Sequence, residues 1–261
     1  MRKELKIIGV IPAHLDSIRF KRKILHDIFG IPMIEHVRRR ALKSGLLNKV
    51  YVASGDNEIL DVVEGYGGNV LKTYRSHSNG TSRVAESIES KDCSHVLIIQ
   101  GDEPLIQNNH IKNMVEAITK NPNIDAWNSI SKLSSEDELL KINSVKAAIN
   151  EEKRILYCFR KSPSYAIYNN QLNYIRKIQG LIAFRKDRLL KISKLSPPQC
   201  EIYESIEQLR IISHGLFLFG VMQDNQVPSI NEKSDLDEFF LYLKNNIIEN
   251  RITSEILDNK Y

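Results

Sequence analysis

No apolar run in this chain approaches the roughly 18–20 residues needed to cross a bilayer, and that excludes a membrane-spanning helix. The N-terminal stretch through Ile11 also lacks the longer apolar segment and small-residue cleavage site of a signal peptide. A cytoplasmic location and no membrane partner are therefore expected. Cysteine is scarce: Cys93, Cys158 and Cys200 are widely spaced and form no C-x-x-C pair, so neither a disulfide framework nor a zinc site is expected. The glycine signatures G-x-x-x-x-G-K-[ST] and G-x-G-x-x-G are both missing. Their absence excludes a P-loop NTPase and a dinucleotide-binding fold of the usual kind. Internal repeats, low-complexity tracts and an interdomain linker are missing as well. The charge balance is only mildly basic, 37 Lys and Arg against 32 Asp and Glu for a net +5. So mild an excess does not imply a nucleic-acid-binding surface, and nucleic acid is not an expected partner.

What is present is a globular composition, 261 residues with 42% hydrophobic and 26% charged, long enough for one large α/β domain or a domain with a smaller lobe. The first half alternates apolar runs with helical periodicity. Strands are predicted at Ile7 to Ile11, Lys49 to Ala53 and His95 to Gln100, and Val70-Leu71 is too short to place. Helices are predicted at Met33 to Ser44, Asn57 to Tyr66, Ser82 to Ile88 and Gln107 to Lys120. This order predicts an α/β fold with a mostly parallel, doubly wound sheet. In the second half, Val145 to Ile149 and Ile155 to Phe159 flank a turn and predict a hairpin. Pro163 to Asn173 reads as a loop, Gly180 to Arg185 and Leu216 to Met222 as strands, and Glu201 to Ile212 and Asp235 to Asn246 as helices. The expected organisation is a single domain over 1–261 with a smaller inserted lobe within about 125–215.

Ligands of open α/β sheets bind outside the carboxyl ends of the strands, and three polar segments fall there. The first follows Pro12 and carries Arg19, Lys21, Arg22 and Lys23 within five residues, a set suited to a polyphosphate, although a solvated basic loop has the same composition. The second, Gln100-Gly-Asp-Glu-Pro104, places an Asp at a strand end, where it can hold Mg²⁺ against phosphate oxygens, although an acidic turn is the plain alternative. The third, Asn79-Gly-Thr-Ser-Arg83, opens a helix whose first amides favour a polar or anionic ligand; an N-cap by Thr81 or Ser82 is its plain alternative. His77, His95 and His110 show no ligand spacing and read as structural or surface groups.

Together these segments resemble the 3-deoxy-manno-octulosonate cytidylyltransferases. The family's I-P-A-R-x-x-S-x-R-L-P-G-K-P-L compares with Ile11-Pro-Ala-His-Leu-Asp-Ser-Ile-Arg-Phe-Lys-Arg-Lys-Ile-Leu25, and G-x-P-M-I-x-H-V with Gly30-Ile-Pro-Met-Ile-Glu-His-Val37. S-G-T-E-R compares with Asn79-Gly-Thr-Ser-Arg83, and Q-G-D-E-P is unchanged at Gln100 to Pro104. N-x-V-K is met by Asn143-Ser-Val-Lys146 and E-Q-L-R by Glu207-Gln-Leu-Arg210. The resemblance spans nearly the whole chain. It implies a Rossmann-like nucleotide-diphospho-sugar transferase fold and a homodimer formed through the smaller lobe. It further implies a Mg²⁺-dependent transfer of CMP from CTP to a 2-keto sugar acid, as in lipopolysaccharide biosynthesis. Under that resemblance Arg19 and Lys23 would hold the triphosphate, and Pro12, Ala13, Thr81, Arg83 and Gln100 would bind the rest of the nucleotide. Asp102 would bind Mg²⁺, with Asn231 at the second metal position. Arg160, Gln179, Glu207 and Gln208 would face the sugar acid.

The chain departs from the family pattern at four places. His14 replaces the first loop arginine, Lys21-Arg22 replaces Pro-Gly, and Asn231 replaces the second metal-binding Asp. Ile178-Gln-Gly-Leu-Ile182 replaces H-x-G-x-Y. A pocket without that His and Tyr leaves sugar hydroxyls unpartnered, so an altered acceptor is expected. A nucleotide-binding protein without turnover, or a nucleic-acid-binding protein, is the alternative.

Overall fold

The computed structural model describes residues 5–258. They form two compact units: one runs up to Lys112 and resumes at Val227, and the other is Asn113–Gln226. Among the described residues no helix is long and apolar enough to cross a membrane.

The first unit opens with β1 (Ile7–Pro12), fully buried because Ile-Ile-Gly-Val-Ile-Pro is apolar on both faces. A small hairpin follows, β2 (Asp27–Ile28) and β3 (Ile31–Pro32), and then α1 (Met33–Lys43). The remaining elements are β4 (Lys49–Ser54), α2 (Asn57–Gly65), β5 (Asn69–Lys72), α3 (Gly80–Ser87) and β6 (His95–Ile99), and α4 (Asn108–Lys120) starts in this unit and runs past its boundary at Lys112. β6, β1, β4 and β5 lie in that order and pair in parallel, as the strand–helix alternation predicts. β5 is the strand too short to place from sequence. It holds because Tyr51 to Ser54 pair with Asn69 to Lys72.

The second unit contains β7 (Ala126–Ser131), α5 (Glu136–Leu140), β8 (Lys146–Ile149), β9 (Ile155–Phe159), α6 (Tyr168–Gln171), β10 (Ile175–Arg185), α7 (Lys186–Ile192), α8 (Gln199–Glu204), α9 (Gln208–Ser213) and β11 (Leu218–Met222). β8 and β9 form the expected antiparallel hairpin. β10 pairs antiparallel with β7 and β8, whereas β11 runs parallel to β7. Three expectations need correction. β7, α5 and α7 were not anticipated by periodicity, and the Pro163 to Asn173 loop contains α6. The single helix expected over Glu201 to Ile212 is broken into α8 and α9 at Ser205, whose φ of 53° is left-handed. Arg160 takes the carbonyl oxygens of Glu204 and Ser205, which a continuous helix would need for its own amides.

The chain returns to the first unit with α10 (Asp235–Asn245) and α11 (Ile247–Asp258). The latter was not predicted. Its buried face includes Glu249 and Thr253, which receive the Arg40 guanidinium at 2.8 Å each, so its packing leaves a weak hydrophobic signature.

Candidate functional site

β1, β4 and β6 run parallel and end at Pro12, Ser54 and Ile99, so the loops that follow open at one edge of the first unit. A cavity of about 650 Å³ lies there, lined by Pro12, Ala13, His14, Lys23, Gly55, Asp56, Arg83, Gln100 and Asp102 with the 73–80 segment. The loops converge closely at glycines. A Cβ on Gly101 would come within 2.6 Å of Ile24 Cδ1, and one on Gly80 within 2.9 Å of Pro12 Cγ. A larger residue at Gly101 would have to displace the Ile24 side chain and would crowd the Pro12 carbonyl, 3.4 Å from that Cβ.

Charge is arranged in pairs around this cavity. Lys23 Nζ donates to Asp102 Oδ2 at 3.0 Å. Arg83 Nη1 donates to Thr73 Oγ1 at 3.0 Å, which holds its guanidinium beside Gly55. His77 Nε2 lies 2.5 Å from Glu86 Oε2, and its Nδ1 lies 3.2 Å from Ser82 Oγ. Burial alone would raise the Glu86 carboxyl. The amides of Tyr74 and Arg75 and the His77 ring outweigh it, so the group titrates below the ordinary carboxylate range. Asn79, and neither Thr81 nor Ser82, caps α3, accepting from Ser82 N at 2.8 Å; its side chain reaches the N3 amide as a helix cap requires.

Six residues singled out in sequence thus line one cavity: Pro12, Ala13, Lys23, Arg83, Gln100 and Asp102. Arg19 is exposed on the same loop and Thr81 is half-buried in the first turn of α3, and neither is among the lining residues. Asn231 is brought alongside by Ile230 N, which donates to the Asp102 carbonyl at 2.9 Å. Its Nδ2 donates to Ser229 Oγ, and Asp235 accepts from the amides of Asn231 and Glu232. Asn231 Oδ1 is a neutral oxygen with no hydrogen-bond partner among the described residues. Sequence reasoning did not find Asp56 or Thr73, and it read His77, which lines the cavity, as a structural or surface group; the polar run Thr73 to Asn79 between a strand and a helix was the available signal.

Among the described residues no group of three or more His, Cys, Asp or Glu side chains is arranged to hold a metal. One carboxylate and one amide oxygen are hard donors, and they fit Mg²⁺ only if phosphate and water oxygens complete the shell.

The remaining candidates lie in the second unit. Arg160 donates from Nε to Glu204 O at 2.9 Å, from Nη1 to Ile142 O at 3.2 Å and from Nη2 to Ser205 O at 3.2 Å. Lys146 grips the same turn, Nζ donating to the carbonyls of Lys141 and Ser144 at 2.8 Å. Burial lowers its pKa first, and the nearby Arg160 and Lys177 cations lower it further against the pull of Glu138. Glu207 precedes α9 and Gln208 begins it. The Gln179 carbonyl and the Gln208 amide meet at one residue, Asn128, which accepts from Gln208 Nε2 at 2.9 Å and donates to Gln179 O at 3.0 Å. Asn128 escaped notice because its strand did. A polar Asn128-Ser129 pair inside a buried run was the signal.

The cytidylyltransferase family pattern matches residues 8–224. A 3-deoxy-manno-octulosonate cytidylyltransferase of Fusobacterium nucleatum is 31% identical over 246 residues, covering 94% of this chain and all of that protein. One from Chlorobium phaeobacteroides is 35% identical, covering 92% and 98%. Among solved structures, a CMP:2-keto-3-deoxy-manno-octonic acid synthetase complexed with CTP superposes with a TM-score of 0.84 at 28% identity, over 96% of this chain and 99% of that one. An inositol-1-phosphate CTP transferase from T. maritima shares the fold at a TM-score of 0.66 and 13% identity, over 99% of both chains.

Proposed function

The chain belongs to the cytidylyltransferase family, among the 3-deoxy-manno-octulosonate cytidylyltransferases, and from that premise we propose that it transfers CMP from CTP to the anomeric hydroxyl of a 2-keto-3-deoxy sugar acid. The observation that carries this reading is the convergence of Lys23, Arg83, Gln100 and Asp102 on one cavity at the carboxyl ends of parallel strands. In the reaction the sugar hydroxyl oxygen forms a bond to the α-phosphorus. The bond from that phosphorus to the bridging oxygen breaks, and pyrophosphate leaves with its electron pair while the hydroxyl proton is lost. Such a transfer depends on positioning and on charge stabilisation of the departing group. Lys23 supplies a cation at the cavity wall and His14 a further polar group, while Arg83 and Gln100 offer donors and acceptors to base and ribose. Asp102 and Asn231 would hold Mg²⁺, which supplies positive charge to the phosphate oxygens when bound.

The acceptor is read as 3-deoxy-octulosonate or a relative of it. Ile182 is buried and Ile178 half-buried on either side of the Gln179 to Leu181 bulge, so this stretch offers its backbone and Gln179 where the family offers His and Tyr. Assembly as a homodimer is supported by the exposed Leu156 and Tyr157 on β9, whose one strand partner among the described residues is β8.

The test is pyrophosphate release from each of the four nucleoside triphosphates against a panel of 2-keto sugar acids. Turnover with CTP and at least one 3-deoxy acid is expected. No turnover with any pair, beside salt-sensitive retention on single-stranded nucleic acid, would overturn the reading.

A further inference from the structure

Asn128 is fully buried in the middle of β7. Opposite it the register with β10 breaks. Ile178 pairs with Ile130 and Ile182 with Asn128, so Gln179, Gly180 and Leu181 bulge out against Ser129 alone. Bulges of this kind re-aim a strand and are held by specific contacts. Here the contacts are side-chain ones. Asn128 Nδ2 faces the carbonyls of Ser129 at 2.9 Å, Gln179 at 3.0 Å and Leu181 at 3.3 Å. Ser129 Oγ donates to Leu181 O at 3.0 Å and accepts from Leu181 N at 3.1 Å.

Three carbonyl oxygens around one amide end leave no choice of orientation. The flipped amide would set oxygen against oxygen three times over. Asn128 Oδ1 is thereby fixed on the opposite side, where it accepts from Gln208 Nε2 at 2.9 Å. That bond in turn decides which end of the Gln208 amide is spent. Its nitrogen is committed to Asn128, and Oε1, with no hydrogen-bond partner among the described residues, remains for a ligand donor. Gln208 is half-buried whereas Asn128 has no exposed surface, so only the former can touch a small molecule.

We propose that Asn128 is a positioning residue of the acceptor subsite, fixing the amide of Gln208 so that its oxygen is presented to a hydrogen-bond donor of the sugar acid while also shaping the 179–181 bulge beside it. This rests on the transferase reading above. A donor on the acceptor, a hydroxyl or an amino group, matches the presented oxygen; a carboxylate does not.

The test uses Asn128→Leu, which removes the acceptor for Gln208 Nε2 at similar volume, with Gln208→Ala, Gln208→Glu and the Asn128→Leu/Gln208→Ala double variant of the full chain. The Michaelis constant for the sugar acid is measured alongside CTP affinity and thermal unfolding. Asn128→Leu and Gln208→Ala should each raise the sugar-acid KM about tenfold or more, the size of one lost hydrogen bond in a site built for it. CTP affinity should stay within about twofold, and the double variant should be no more than about threefold worse than the poorer single one. Gln208→Glu is diagnostic even if the buried substitution fails to fold. It keeps an acceptor oxygen but loses the donor to Asn128, so its KM should rise as for Gln208→Ala. Near-normal KM in Gln208→Glu, fully multiplicative effects in the double variant, or unchanged KM in Asn128→Leu would each overturn the proposal while the unmodified chain still turns over. Failure of the unmodified chain to transfer at all would instead remove the transferase reading and this one with it.

Discussion

Lys23 Nζ sits 3.0 Å from Asp102 Oδ2, joining the basic loop after β1 to the acidic turn after β6 across 79 residues of sequence. The Lys23 side chain is 11% exposed and that of Asp102 29%, so each charge is partly desolvated and compensated by the other. A nucleotide with its cation would exchange this pair for two others, Lys23 with phosphate and Asp102 with metal. The ion pair therefore keeps both groups in place before the ligand arrives.

Lys23→Ala should weaken CTP binding by about 1.5–3 kcal/mol, the range for hydrogen bonds to charged groups. Calorimetric titration of CTP into wild type and variant measures this. Equal affinities would remove Lys23 from the triphosphate site. Arg19→Ala belongs in the same experiment, because Arg19 is exposed outside the cavity lining and reaches a phosphate only if its side chain swings in. Its loss should fall below that of Lys23.

The metal prediction follows from charge. Asp102 is the one carboxylate at the two family metal positions, and Asn231 offers a neutral oxygen. Asp102→Asn should abolish metal-dependent turnover, and Asn231→Asp should lower the Mg²⁺ concentration at half-maximal rate by about tenfold. Asp235 accepts the amides of Asn231 at 2.7 Å and Glu232 at 2.9 Å on one oxygen, Oδ2, which ties its carboxylate to the Asn231 turn. Rate against Mg²⁺ concentration for the three proteins decides it, and a normal magnesium profile in Asp102→Asn would sink the assignment.

Glu138 ties stability to pH. Burial would raise its carboxyl, but Lys177 at 2.6 Å and the amide and hydroxyl of Ser134 outweigh burial and bring it down to about 2. A folded-state pKa below the unfolded value stabilises the fold above about pH 4.3 and ceases to do so as pH falls toward 2. Glu138→Gln should therefore cost on the order of 2 kcal/mol at pH 7, after allowing for solvent around Lys177. The deficit should close as the pH falls from 4.3 to 2. Denaturant unfolding at pH 7, 4 and 2.5 follows it, and a deficit independent of pH would point to packing instead.

Much of the nucleotide half was legible because its strands are continuous apolar runs, buried on both faces, each followed by a distinctive polar segment. Ile7 to Ile11 and His95 to Gln100 are such runs, and Gln100 to Pro104 lands on the cavity wall as expected. The second unit was harder to read because side chains and irregular backbone do the work there. Arg160 breaks a helix by taking its carbonyls, and Asn128 holds a bulge that no hydrophobic period announces. α11 escaped for a related reason: Glu249 and Thr253 are buried only because Arg40, more than 200 residues away, comes to meet them.

Arg22 occupies the position where the family pattern has glycine, and its backbone adopts a conformation that favours glycine. Its φ is 56° and ψ 25°, in the left-handed region that a Cβ disfavours. The guanidinium is turned outward to Glu58, and Arg22 does not line the nucleotide cavity, whereas its neighbour Lys23 does. The substitution thus spends backbone strain on an exposed ion pair, an interaction of small value in water. Two variants separate the contributions. Arg22→Ala removes the pair but retains the strain, while Arg22→Gly removes both, at the cost of a more flexible unfolded chain. In an ordinary loop with negative φ, alanine would be the more stable of the two. Here the order should reverse, Arg22→Gly melting about 2–4 °C above Arg22→Ala in a chain of this size. CTP affinity should be the same in both, because neither change touches the cavity wall. Arg22→Ala melting at or above Arg22→Gly would mean that the loop relaxes out of the left-handed region. A loss of CTP binding in either variant would mean that Arg22 reaches the nucleotide after all.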